Sequence, residues 1–173
     1  MVKTLNQKIT EYLAELFAAG VLTEEQATQT AGMMYVLSDV DRIGLLTKDV
    51  VGCVEDKKQK KYKYSKEAMK DLEKSLVLIE EMFSGALQIM ITGDLENAKK
   101  VLKKKEKVLD LDITMRKKHM ERVGKGKCGA KLTAPFNRIL HSVDRMGNTC
   151  ANIADAALGQ VDFTYFIYDG SED

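Results

Sequence analysis

The eight residues Leu37-Ser38-Asp39-Val40-Asp41-Arg42-Ile43-Gly44 return 103 positions later as Leu140-His141-Ser142-Val143-Asp144-Arg145-Met146-Gly147, with five of the eight identical. Upstream, Ile9-Thr10 and Gly20 match Ile113-Thr114 and Gly124 at an offset of 104, a one-residue slip that a connecting loop absorbs. A duplicated pattern means a duplicated supersecondary unit, so the two copies are expected to fold alike. The stretch from Ser65 to about Thr92 precedes Ile113-Thr114 in the second copy, and its counterpart in the first would fall before Met1. The expectation is one complete unit and one without its opening element, either cut from a longer polypeptide or completed by a partner.

Apolar residues recur at steps of three and four, the spacing of one helix face. Five helices are predicted. The first, about Val2 to Phe17, carries Leu5, Ile9, Tyr12, Leu13 and Leu16 and closes at Gly20, a residue free to take the left-handed conformation. Thr23 with Glu24, Glu25 and Gln26 opens the second as a capping box, and that helix runs through Met33, Val36, Leu37, Val40, Ile43, Gly44, Thr47, Val50 and Val51. A solvated lysine-rich boundary, Asp56 to Lys63, ends the first copy. Ser65 caps a third helix with Met69, Leu72, Leu76, Ile79, Phe83, Ala86 and Met90 inward. The fourth, from Asp94 to about Val123, is assigned the interior seam Leu95, Ala98, Leu102, Glu106, Leu109, Ile113, Arg116 and Met120, which includes two charged residues. After the glycine turn of residues 124–129 comes a fifth helix carrying Leu132, Phe136, Ile139, Val143, Met146, Cys150, Ile153 and Ala157.

Short connections between long helices make neighbours antiparallel. The expected fold is all-α: tandem antiparallel three-helix bundles, the first lacking its first helix. Residues 1–60 would form the incomplete two-helix unit, 64–160 the complete bundle, and 161–173 an aromatic C-terminal tail. The tail either packs on its own bundle or fills the open groove of the first unit.

Composition excludes several classes. A net charge of +1 gives no field that selects nucleic acid, and no recognition helix or stacking aromatics accompany the lysine clusters. No apolar run approaches the ~20 residues of a membrane span. Three widely spaced cysteines fit a reducing, cytoplasmic compartment better than a disulfide framework.

Carboxylates four apart share a helix face and can chelate a metal. Glu106 and Asp110 have that spacing, and Asp144 lies one position from the seam of the fifth helix, so a metal reading would have three carboxylates converge. Oxygen ligands of this kind suit a divalent or ferric ion. The competing reading is a solvated face, with Glu106 neutralised by Arg116, Arg145 or Lys105. Neither His119 nor His141 has a glutamate three residues before it, His141 and Cys150 are too far apart on one helix to share zinc, and no nucleophile with a general base occurs. No enzyme is expected.

Asp39-Val40-Asp41-Arg42-Ile43-Gly44, and Val143-Asp144-Arg145-Met146-Gly147 followed by Asn152-Ile153-Ala154-Asp155, resemble the signatures of PhoU domains. Residues 116–123 with Gly126-Lys127-Cys128 resemble the C-terminal cytoplasmic PhoU-like domain of bacterial sodium/phosphate cotransporters. The resemblance implies two bundles side by side and a regulatory part in phosphate uptake. It marks Arg42, Gly44, Arg145, Gly147 and Asn152 as motif positions. It also implies a metal motif of an acid, three residues, then aspartate: Glu106 and Asp110 keep it, Asp41 is followed by Leu45, and Asp144 by Asn148.

The function expected is a non-catalytic regulatory domain at the cytoplasmic face of the membrane. Its partner would be the transporter's membrane part or a phosphate-signalling protein. The alternatives are a metal-binding bundle and a free-standing adaptor that forms a homodimer through its open groove.

Overall fold

The computed structural model describes residues 2–60, 63–92 and 94–157. Among them the regular structure is helical throughout: α1 (Val2–Ala18), α2 (Glu24–Gln59), α3 (Lys66–Thr92), α4 (Leu95–Gly124) and α5 (Thr133–Ala157), with a 3-10 turn, Ala130–Leu132, leading into α5. The aromatic tail expected at 161–173 lies outside the described residues.

Local chemistry sets the helix ends. Thr23 N–H donates to Gln26 Oε1 and Gln26 N–H to Thr23 Oγ1, a reciprocal capping box. Ser65 Oγ accepts from Ala68 N–H, and Asp94 Oδ1 accepts from the N–H groups of Glu96 and Asn97. Gly20 and Gly126 take positive φ, 64° and 67°, as residues that end helices by turning left-handed. Pro135 falls in the first turn of α5, where its missing N–H has no helical partner to lose. Helix α2 runs to Gln59, so much of the lysine-rich boundary is the last turn of a helix.

Helix α5 is central: it packs on α2, α3 and α4, while α3 and α4 also pack together and α1 rests on α2. Helices α3, α4 and α5 therefore close a three-helix bundle. Ion pairs fix its directions, since Lys104 meets Glu81 and Lys118 meets Asp71, making α3 and α4 antiparallel. Two stripes of α5 are buried. One holds Phe136, Leu140, Val143, Gly147, Cys150 and Ala154; the other holds Ile139, Ser142, Met146, Thr149 and Ile153. Each large apolar side chain so buried stabilises the fold by about 1.5–3 kcal/mol.

The interior face of α4 differs from the expected seam. Ala98, Val101, Val108, Met115 and His119 are buried, whereas Leu109, Ile113 and Met120 are exposed and Glu106 faces solvent. The true seam is turned by about one residue, roughly 100° on a helix. The reason is electrostatic: the expected stripe would have buried Glu106 and Arg116, while the observed one carries no full charge. Arg116 instead holds Asp112 one turn away, with Nε–Oδ2 2.7 Å and Nη2–Oδ1 2.9 Å.

Helices α2 and α5 run antiparallel, with Asp49 against Arg138 at 3.8 Å and Asp39 beside Asn152. The crossing point thus falls on the repeated motif, each copy against the other, which is the signature of a local pseudo-twofold. Identical cap bonds fix the register of the other pair. Ala19 and Gly20 N–H donate to the carbonyls of Glu15 and Phe17, and Lys125 and Gly126 to those of Glu121 and Val123. Gly20 therefore matches Gly126, not Gly124, and α1 superposes on α4 at an offset of 106 where the sequence match gave 104.

Candidate functional site

Glu106 from α4 and Asp144 from α5 line one cleft of about 470 Å³, together with Leu102, Lys105, Leu109, Gly147 and Asn148. Helix crossing explains the meeting: Gly147 lets α4 approach α5 closely, which brings the residues one turn away on each helix to the same opening. Asn148, at the position where an acid would complete the second motif, donates its amide to Asp144 Oδ2 at 3.4 Å and to the Asp144 carbonyl at 3.1 Å. Asp110 is exposed on α4 and does not line the cleft, and Asp41 lies half-buried on α2, in the other unit. Among the described residues no three His, Cys, Asp or Glu side chains gather as metal ligands, Glu106, Asp110 and Asp144 included.

The motif positions take different parts. Gly147 is a contact residue beneath Val108 of α4, while an added Cβ on Gly44 meets nothing within 4 Å among the described residues. Arg42 is half exposed and reaches Asp39 at 3.8 Å, and Arg145 is exposed. Asn152 faces Asp39 across the α2–α5 crossing.

Asp39 is the buried ionisable group that the site reasoning passed over. It is 2% exposed, its Oδ2 has no hydrogen-bond partner among the described residues, and burial pushes its carboxyl above the usual range against the pull of Arg42 and Asn152. The signal was present in the repeat. Position 39 shares the stripe of Val36, Ile43 and Leu46, and its counterpart in the second copy is the small Ser142, also buried.

A second polar cluster sits under the α4–α5 connection. His119 is 1% exposed, stacks on Phe136 with ring centroids 4.5 Å apart, and places Nε2 3.1 Å from Thr133 Oγ1. Cys128 Sγ lies 3.9 Å from Nδ1, a contact across the glycine turn. Burial, then the nearby Arg122 guanidinium, holds the imidazole below its ordinary pKa. Arg122 keeps Nε and Nη2 buried with no hydrogen-bond partner among the described residues. Three polar groups packed this way against an aromatic ring hold the turn in place; they supply no nucleophile activated by an oriented base. All three cysteines are buried and free, and burial pushes the Cys150 thiol up to about 12.

Residues 72–157 match the PhoU domain. The match covers the α3–α4–α5 bundle from the second turn of α3 to the end of α5, so this part of the chain, an all-α helical bundle, is similar to PhoU domains. No curated protein and no solved structure matches the chain. Among the described residues, no helix of the PhoU-like bundle or of α1 and α2 is long and apolar enough to cross a membrane.

Proposed function

We propose that the chain is a non-catalytic regulatory domain that acts in the control of phosphate uptake, as the cytoplasmic partner of a sodium/phosphate cotransporter, through contacts made by its helix faces. The observation that carries this reading is the PhoU match over a closed bundle, which points to phosphate homeostasis. The transporter context comes from the resemblance of residues 116–123 and Gly126-Lys127-Cys128. The structure gives that stretch a packing role, with His119 and Cys128 anchoring the end of α4. A fold built from helix faces, with Leu109, Ile113 and Met120 exposed along α4, is suited to binding another protein.

The test is sodium-dependent phosphate uptake by cells carrying the cotransporter, with the domain present and deleted, across external phosphate concentrations. The expected result is an altered dependence of uptake on phosphate when the domain is removed. Identical uptake curves would overturn the reading.

A second reading, a metal-binding PhoU-like bundle, is favoured by one observation: Glu106 and Asp144 open onto the same cleft. Two carboxylates with an amide beside them suit a weakly held oxygen-ligated cation. Stoichiometric metal in the purified chain, lost in both Glu106→Ala and Asp144→Ala, would favour it.

A further inference from the structure

Where α3 begins and α4 ends, Lys70 and Lys74 of α3, Lys118 and Arg122 of α4 and Lys127 of the glycine turn line a second cleft, of about 530 Å³. Elsewhere Lys60, Lys99 and Lys104 each hold a carboxylate within 3.3 Å. Of the five cations in this cleft, only Lys118 has an ion pair among the described residues, to Asp71 at 3.5 Å. Cations gathered this way repel one another until an anion comes between them.

Arg122 is the one most in need of a partner. Its Nε and Nη2 are buried with no hydrogen-bond partner among the described residues, a costly state for charged donors. Those two nitrogens form the side-on edge of a guanidinium, which grips an oxyanion through two parallel bonds. An anion that enters the cleft as the side chain turns slightly satisfies both. Glu67, which also lines the cleft, shows that the place favours negative charge. Its own N–H and the Ser65 hydroxyl donate to its carboxyl and hold it below the usual range, and Arg122 and Lys127 add their attraction.

Spacing sets the size of the ligand. Helices α3 and α4 are antiparallel, so Lys118 stands opposite Asp71, and Arg122, one turn on, stands at the level of Glu67. Lys74 lies two turns from that level, so the cations spread along roughly 11 Å of the helices. A single phosphate or carboxylate meets one level of them, whereas a chain of phosphoryl groups meets all. We propose that this cleft binds a small phosphoanion with two or more phosphoryl groups, gripped by Arg122 and flanked by Lys70, Lys74, Lys118 and Lys127. The site is separate from the cleft of Glu106 and Asp144, and it stands independently of the transporter reading.

The test is calorimetric titration of the purified chain, at physiological ionic strength, with pyrophosphate, tripolyphosphate, ATP, phosphate and sulfate. Pyrophosphate or tripolyphosphate should bind at least about tenfold more tightly than phosphate or sulfate. Arg122→Gln should weaken binding about tenfold or more. Lys70→Ala and Lys127→Ala, which change exposed side chains, should each weaken it several-fold and decide the matter even if Arg122→Gln loosens the turn. Lys100→Ala, exposed near the start of α4, should leave it unchanged. Glu67→Gln should tighten it by removing a competing carboxylate. Burial and Arg122 depress the pKa of His119, so an anion on Arg122 should make the imidazole titrate higher in NMR spectra of the complex. ATP binding above tripolyphosphate would support the site and assign it to a nucleotide; equal binding would support it for the inorganic chain. Phosphate or sulfate binding as well as pyrophosphate would overturn the proposal, and so would equal losses in Lys100→Ala and Lys127→Ala, because the attraction would then be diffuse. Binding to phosphatidylglycerol vesicles with none to the soluble anions would overturn it in favour of a membrane surface.

Discussion

Val108 of α4 presses on Gly147 of α5 so closely that a Cβ on the glycine would lie 3.1 Å from Cγ1 and 3.3 Å from Cγ2. The β-branched valine is stiff and cannot turn away easily. Gly147→Ala should therefore destabilise the bundle by roughly 1–3 kcal/mol through overpacking. Gly44→Ala, at the matching position of the other unit, meets nothing within 4 Å among the described residues and should be neutral or stabilising by up to about 1 kcal/mol, the helix propensity difference. Urea titration of both variants checks the contrast; equal effects would show that the glycines have equivalent packing after all.

The same asymmetry predicts how truncations sort. Phe136→Ala and Met115→Ala remove side chains that are 0% and 1% exposed, and each should cost roughly 2–5 kcal/mol. Met33→Ala and Ile9→Ala, their counterparts, remove exposed side chains and should stay within about 0.5 kcal/mol. Chemical denaturation of the four single variants decides it. A loss of more than about 2 kcal/mol in Ile9→Ala would mean that the α1 face is covered in solution.

Much of this was legible in the chain because it is local. Thr23 with Gln26, Ser65 and Asp94 cap helices through residues three apart or fewer, and Gly20 turns left-handed at a helix end as expected. What depended on neighbours was less visible. Two heptad stripes one residue apart run along α4, Val101-Val108-Met115 and Leu102-Leu109-Arg116, and only contact with α5 decides between them. The Ile-Thr dipeptide in both copies suggested a register that the cap bonds of Gly20 and Gly126 correct. At the site, the meeting of Glu106 and Asp144 followed from helix packing, whereas Asp110 turns away on the solvent side of the corrected seam. Asp39 was read as a motif letter, and its burial appears only once α2 and α5 cross.

Asp39 makes one part of the pH dependence. Its carboxyl is raised by burial, so the folded chain binds a proton more tightly than the unfolded one. The destabilisation is full above the folded pKa and absent below the unfolded value of about 3.9. Asp39→Asn keeps the shape without the charge. It should stabilise the fold at neutral pH by an amount on the order of 1 kcal/mol, seen as a higher Tm, and the gain should shrink as the solution is acidified. Thermal melts at several pH values test this, and a constant gain at every pH would rule out the charge as its cause.

His119 acts in the opposite sense. Burial and Arg122 depress its pKa, so on acidification the unfolded chain takes up a proton before the folded one does. Stability is unaffected above the unfolded value of about 6.5 and falls as pH drops from there toward the folded value, with a slope of at most about 1.4 kcal/mol per pH unit. The groups around the ring are Arg122 on its own helix, Cys128 in the turn, and Thr133 and Phe136 on α5. None of these carries a negative charge that could draw the proton in. His119→Leu copies Leu13, the matching residue of the first unit, and leaves the Thr133 hydroxyl to bond elsewhere. Its stability should vary less than that of the parent between pH 7 and pH 5, whatever its absolute value. Parallel pH slopes for the two proteins in urea titrations would show that some other group gives the chain its sensitivity to acid.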